Sequence, residues 1–317
     1  MISKSINHEP TRNTTNSFFV PIRVISWFRL FFPPFRAFRL FRRSAFLFVA
    51  IRVFSWFRLP SFFRRFRLFR RQILFLLLMT LITACSKHTV NPRLDSEMPK
   101  KVLWAWERPE DLRFADPDEF GVAFLAQTLV LQGDEIVYKP RRQPLEVAPG
   151  AYIIAVTRIE TVKEGGKRPS FSPAQQTRLV TLIKNTLERP NVRAVQIDFD
   201  AVASERKFYR SMMKELRPAL PENMPLTMTS LASWCVGDAW FNDFPVDEAV
   251  PMAFDMGADD ETIKSFLREG KDWREPLCRG SYGISLEDPL GAELKGGRRI
   301  YYFKKSVWSK SDIQKLP

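Results

Sequence analysis

The chain has 317 residues and a formal charge of +14, but the excess lies in residues 1–85, which hold Lys4 and fourteen Arg against the single acid Glu9. The remaining residues share 34 of the 49 basic and 34 of the 35 acidic side chains; this neutral balance excludes an indiscriminate grip on nucleic acid, which needs clustered Lys and Arg on a folded surface. Both histidines, His8 and His88, precede residue 101, which excludes Ser-His-Asp and Cys-His catalysis and any histidine-ligated metal from the rest of the chain.

Residues 1–69 are Phe/Arg-rich, and Ile22-Arg-Val-Ile-Ser-Trp-Phe-Arg-Leu30 recurs as Ile51-Arg-Val-Phe-Ser-Trp-Phe-Arg-Leu59. Such a stretch reads either as a basic, aromatic segment lying on a membrane surface or as a mis-assigned start. The second reading is preferred, with the working n-region beginning within ten or so residues of Arg70, because a signal peptide ending at residue 84 is far longer than the usual ~15–30 residues. Arg70-Arg71 precede an uncharged run, 73–84, which is too short for a comfortable span and fits the apolar core of a signal peptide. Its end, Ile82-Thr83-Ala84-Cys85, resembles the bacterial lipobox; the resemblance implies lipidation of Cys85, export and attachment to a membrane. Ser86 is similar to the outer-membrane sorting pattern, which implies a periplasm-facing location at the cell envelope. Residues 86–100 are polar and Pro-containing, as a short tether would be.

From residue 101 onward, strand-like and helix-like segments alternate. Eight runs read as strands: 102–106, 122–125, 152–159, 193–199, 226–231, 249–254, 281–286 and 299–303. Helices are expected at 173–187 behind the cap Ser172, after Ser204 with the stripe Phe208, Met212, Met213 and Leu216, and at 260–268. This pattern predicts a (β/α)₈, TIM-barrel-like domain over 101–317. Gly133-Asp134 between two alternating runs predicts a β-hairpin that projects from the barrel after the second strand, in place of a helix. Two cysteines left after export suggest a disulfide, but Cys235 falls after one strand and Cys278 before another, which predicts opposite ends of the barrel and weighs against the pairing without deciding it.

In such a barrel, function comes from the carboxyl ends of the strands. The fourth strand carries Gln196, Asp198 and Asp200 on one face and Val195, Ile197 and Phe199 on the other; helices cover the outside, so the polar set should point inward. Two carboxylates in a partly desolvated mouth push one pKa upward, which separates an acid from a base. Asp200, Asp198, Glu107 and Asp255 are therefore the candidate catalytic groups. Trp106, Arg158, Glu160, Gln196, Trp234 and Glu287 are candidate ligand-binding residues, the two tryptophans as platforms for sugar rings. No phosphate-cradling or dinucleotide motif is present, and no cofactor is expected. No dedicated metal site is expected either; a carboxylate-bound cation such as Mg²⁺ at Asp198 and Asp200 is allowed by ligand type alone.

Val102-Leu-Trp-Ala-Trp-Glu-Arg-Pro-Glu-Asp111, Pro140-Arg-Arg-Gln-Pro144, Gln196-Ile-Asp-Phe-Asp-Ala201, Ser204-Glu-Arg206, Leu231-Ala-Ser-Trp-Cys235 and Val246-Asp-Glu-Ala-Val-Pro-Met252 resemble the bacterial family called domain of unknown function 3142. That family has no assigned activity to carry over. More distantly, the barrel is similar to the family 18 glycoside hydrolases, the chitinase-like enzymes, whose fourth strand ends D-x-x-D-x-D-x-E and whose sixth ends M-x-Y-D. Asp198 and Asp200 match the last two aspartates, and Met252-Ala-Phe-Asp255 matches the second motif with Phe for Tyr. Val195 stands at the first aspartate and Val202 at the catalytic glutamate, so the substrate-assisted mechanism of that family does not carry over. The resemblance implies a barrel that binds or hydrolyses carbohydrate. The alternative is a non-catalytic scaffold or binding barrel whose acids pair internally with Arg158 or Arg108.

Overall fold

The computed structural model describes residue 94 and residues 98–317 except 239. The Phe/Arg-rich repeats, the signal-like segment, Cys85 and most of the tether lie outside the described residues.

Eight parallel strands close into a barrel. They are β1 (Lys101–Ala105), β3 (Phe120–Gln132), β6 (Tyr152–Thr161), β7 (Val192–Asp198), β8 (Leu226–Leu231), β9 (Glu248–Met252), β10 (Ser281–Ser285) and β11 (Arg299–Phe303). Each pairs with the next, and β1 pairs with both β3 and β11, so the barrel has no open edge. Each overlaps a run expected from sequence, although 102–106, 193–199, 249–254 and 281–286 extend one or two residues past the carboxyl end of the observed strand. These strands are buried on both faces and so read as near-continuous apolar runs: the first ten residues of β3 are all buried.

Helices cover only part of the outside. α1 (Pro173–Lys184) follows β6, α2 (Arg206–Ala219) follows β7, α3 (Ala232–Val236) follows β8, α4 (Asp260–Arg268) follows β9, and α5 (Lys310–Ile313) follows β11. Ser172 caps α1, its Oγ accepting from the Gln175 N–H at 3.3 Å. The stripes foreseen on α1 and α2 bury Leu179, Ile183, Met212, Met213 and Leu216 against the outward-facing Val195, Ile197 and Phe199. The inward/outward assignment of β7 therefore holds.

The hairpin is present but is not a separate projection. Its first arm is β3 itself, continuing past the barrel, and β4 (Glu135–Pro140) returns antiparallel to it from Gln132↔Glu135 to Gln127↔Pro140. The extension keeps its other neighbour, since Thr128 to Leu131 remain paired with Arg158 to Thr161 on β6. Two short strands, β2 (Glu110–Leu112) and β5 (Leu145–Val147), pair beside it.

The amino-terminal end of the barrel is closed. Arg299 forms a buried ion pair with Glu248 at 3.0 Å, Tyr301 donates its hydroxyl to the same carboxylate at 2.9 Å, and the Arg299 guanidinium donates to the carbonyls of Leu94, Met98 and Pro99. Leu94 and Met98 pack with Val102, Tyr152 and Tyr301 inside that end.

The cysteines overturn the expectation that they stay apart: Cys235 and Cys278 form a disulfide, with Cα atoms 5.9 Å apart. The expectation took each cysteine to lie at its strand's end. Cys235 instead sits on α3, the short helix that directly follows β8, and Cys278 on the turn Pro276–Gly280 before β10, with the Ser230 hydroxyl of β8 near both sulfurs. The N–H groups of Arg274 and Glu275 donate to the Cys235 carbonyl, at 2.8 and 3.1 Å, and hold the two segments together. The Ser230 hydroxyl lies 3.2 Å from the Cys235 sulfur.

Candidate functional site

A pocket of about 480 Å³ opens at the carboxyl end of the barrel strands. Its acidic members are Asp198, Asp200, Asp255 and Asp259; its aromatic members are Trp104, Trp106, Phe254 and Phe303; Arg158 is its only cationic lining residue among the described residues.

The floor is built from the barrel interior. Trp104 is 2% exposed, packs on Tyr301 with the rings tilted and 5.4 Å apart, and donates its indole N–H to Gln196 Oε1 at 2.9 Å. The Gln196 amide donates in turn to Thr227 at 3.2 Å. Gln196 thus lies beneath the pocket and fixes its floor. Gly283 permits the close approach of this indole: a Cβ there would meet Trp104 Cη2 and the Pro251 carbonyl, each at 3.1 Å. Phe254 and Phe303 stack face to face at 5.1 Å, and Trp106 meets Phe303 edge-on at 6.2 Å.

Trp106 follows β1 in a loop without helical hydrogen bonds, and Arg141 holds it in place. The Arg141 guanidinium donates to the Trp106 and Arg108 carbonyls, and burial lowers its pKa from the ordinary arginine value. The Arg158 guanidinium lies over the Trp106 ring at 5.8 Å, 3.3 Å from Glu160 and 3.9 Å from Asp198.

Asp198 ends β7 and is 7% exposed. It accepts the Thr229 hydroxyl at 2.7 Å. Burial, and then the charge of Asp200, push its pKa up to about 6, against the Thr229 hydrogen bond and the Arg158 charge. Asp200 lies at the exposed rim, and its pKa is raised by desolvation and pulled back by Arg158 and Lys163. A carboxyl that titrates close to neutrality beside a second carboxylate can hold or release a proton at a bound ligand. Among the described residues no group of three or more acidic, histidine or cysteine side chains converges as a metal site.

Asp255 follows β9 with φ +48, in the left-handed region that few non-glycine residues adopt. Two contacts hold it there: its N–H donates to Asp288 at 2.8 Å, and its carboxylate pairs with Lys305 at 3.0 Å. Its side chain lines the pocket as a paired charge.

Of the sequence candidates, the pocket brings together Asp198, Asp200, Asp255, Trp106 and Arg158. Glu107 is exposed and outside the lining. Glu160 reaches the pocket only through Arg158. Glu287 is occupied with the Ser285 hydroxyl and the Lys305 N–H, each at 3.0 Å. Trp234 is 4% exposed and packs on Trp240 and Phe241 in the helix layer, so it offers no face to a ligand. Val202, where family 18 has its glutamate, is 47% exposed. The nearby Glu205 caps its own turn through the Val202 N–H and pairs with Lys163 at 2.6 Å, which takes it out of the pocket. Arg108 pairs with Glu110, not with the pocket acids.

Sequence reasoning missed Trp104, Phe254, Phe303, Asp259 and Arg141. The available signal was position: Phe254 and Phe303 lie at the carboxyl ends of strands, where residues of alternating parity face the mouth.

No known family model matches the chain, and no curated protein matches it. Among solved structures it is similar to the spore cortex-lytic enzyme SleL of Bacillus cereus, at 15% identity and a TM-score of 0.39, over 59% of this chain and 51% of that one. It is also similar to the chitinase domain of the spore coat protein CotE from Clostridium difficile, at 9% identity and a TM-score of 0.35, over 53% of each chain. The SleL of Bacillus megaterium QM B1551 matches at 9% identity and a TM-score of 0.39, over 61% and 52%. The chain thus spans about half the length of these structures, and at this level of likeness no residue role passes from them to it.

Proposed function

We propose that this chain is an exported, lipid-anchored protein that binds a carbohydrate in the pocket at the barrel mouth. The pocket's composition carries the reading. A sugar presents an apolar face of C–H groups and an edge of hydroxyl donors; Trp106, Phe254 and Phe303 supply apolar surface for the first, and Asp198 and Asp200 supply acceptors for the second. A scaffold whose acids are neutralised internally fits less well, because Asp200 makes no hydrogen bond or ion pair among the described residues. Support for export comes from the lipobox-like end at Cys85 and from the Cys235–Cys278 disulfide, which is characteristic of oxidising compartments. The same reading places the protein at a periplasm-facing membrane, the outer one by Ser86, and in the family of domain of unknown function 3142.

A thermal-shift screen of the chain, isolated from cell envelopes in mild detergent, against cell-wall and polysaccharide fragments tests the binding. A stabilising glycan whose effect is lost in Asp200→Asn supports it; no shift from any glycan removes it. Labelling with a radioactive fatty acid, lost in Cys85→Ser, tests the anchor.

One feature favours a second reading, glycoside hydrolysis: two carboxyls, Asp198 and Asp200, share the pocket, and burial with the Asp200 charge pushes Asp198 up to about 6. With Val202 at the usual acid's position, Asp200 and Asp198 would have to provide the acid and the base. Product analysis on any glycan found by the screen decides between binding and turnover.

A further inference from the structure

The carboxylates of the pocket differ in how far they are compensated. Asp255 is paired with Lys305, and Asp198 holds the Thr229 hydroxyl with Arg158 at 3.9 Å. Asp200 and Asp259 both line the pocket, and neither makes a hydrogen bond or ion pair with its side chain among the described residues. Arg158 does not redress the balance, because Glu160, outside the lining, lies closer to it than Asp198 does. The lining therefore joins aromatic faces to four carboxylates with one cation, Arg158, among them; Lys163, outside the lining, reaches Asp200 only as a longer-range charge.

Carboxylates only accept hydrogen bonds, and an ammonium only donates them. Aromatic faces also attract cations. An N-acetylated sugar offers one neutral N–H where the ammonium offers three charged donors, and an acidic sugar adds repulsion. We propose that the ligand is a sugar chain bearing free amino groups, a 2-amino-2-deoxy glycan whose ammonium groups are taken by Asp200 and Asp259 while its rings pack on Trp106. This rests on the carbohydrate reading above and adds the ligand's charge to it.

The test is a tryptophan-fluorescence titration of the whole chain with three probes: a glucosamine hexamer, an N-acetylglucosamine hexamer and tetralysine. The expected result is roughly tenfold tighter binding of the glucosamine hexamer than of its acetylated counterpart, the size of one to two charge-assisted hydrogen bonds. That ratio should shrink at high salt and fall toward one in Asp259→Asn and in Asp200→Asn. Asp259 is exposed on the short turn Gly257–Asp259, so its substitution leaves the core intact. Equal or tighter binding of the acetylated hexamer overturns the amine proposal and leaves the carbohydrate reading standing. Tighter binding of tetralysine than of either hexamer overturns both, whereas no binding of either hexamer overturns the amine proposal and leaves the carbohydrate reading to the glycan screen.

Discussion

Asp198→Asn keeps the shape of the side chain and an oxygen for the Thr229 hydroxyl, and removes the charge. In the folded protein, burial and the Asp200 charge raise the Asp198 pKa from 3.8 to about 6. A folded-state pKa above the unfolded one means that the native state binds its proton more tightly. The cost of ionising Asp198 is therefore absent below about pH 4, grows as the pH rises, and is complete above about pH 6. The rise from 3.8 to about 6 corresponds to about 3 kcal/mol. The side chain is almost wholly buried, so little solvent screening reduces this figure. Asn never ionises, and the variant should be more stable than the parent by up to about 3 kcal/mol near pH 7.5 and equal to it near pH 4. For a domain of this size that is a rise in melting temperature of about 6–12 °C at the higher pH. Calorimetry of both proteins at both pH values measures it. A variant that is less stable by the same amount at both would refute the argument, and would make Asp198 a structural partner of Thr229 and Arg158. Added stability accompanied by lost glycan binding would show that the ionised carboxylate is kept at a cost to the fold.

Other substitutions separate the pocket from the frame. Trp106→Ala should weaken glycan binding about tenfold or more with little loss of stability, since the ring is only partly buried; Trp234→Ala, in the helix-layer core, should cost about 3–5 kcal/mol of stability in denaturant titrations. Replacing Cys235 and Cys278 together by Ala opens a loop of sequence separation 43 and should cost up to about 4 kcal/mol, which dithiothreitol should reproduce in the parent protein. Glu248→Gln leaves Arg299 buried opposite a neutral amide, and should cost about 3–5 kcal/mol in the same titrations while the pocket of any surviving folded protein binds as before.

The barrel was legible in the sequence because its strands are buried on both faces: runs such as 122–125 and 226–231 are apolar or hydroxyl-bearing throughout, and the helical stripes between them fix the alternation. Asp198, which ends β7, and Asp200 just beyond it were legible for a related reason, since a carboxylate at the carboxyl end of a barrel strand has few places to go except the mouth. The aromatic half of the pocket was not. An apolar residue at a strand end reads the same whether it faces the pocket or the helix layer, and a shift of one residue exchanges the two faces. Phe254 and Phe303 turned inward, whereas Trp234 was carried outward by the five residues of α3. The disulfide was hidden because it depends on how far two connections travel along the outside of the barrel, a distance no local pattern encodes. Arg141 was invisible for the same reason: its work is done on the Trp106 carbonyl, 35 residues away.

The knot of Arg299, Glu248 and the carbonyls of Leu94, Met98 and Pro99 also sets where outside force enters the molecule. A pull applied to the chain upstream of Leu94 is delivered to the closed end of the barrel, where an ion pair and several charge-assisted hydrogen bonds share it, and not to the loops that shape the mouth. The walls of the pocket are therefore mechanically separate from the point at which the chain enters the barrel.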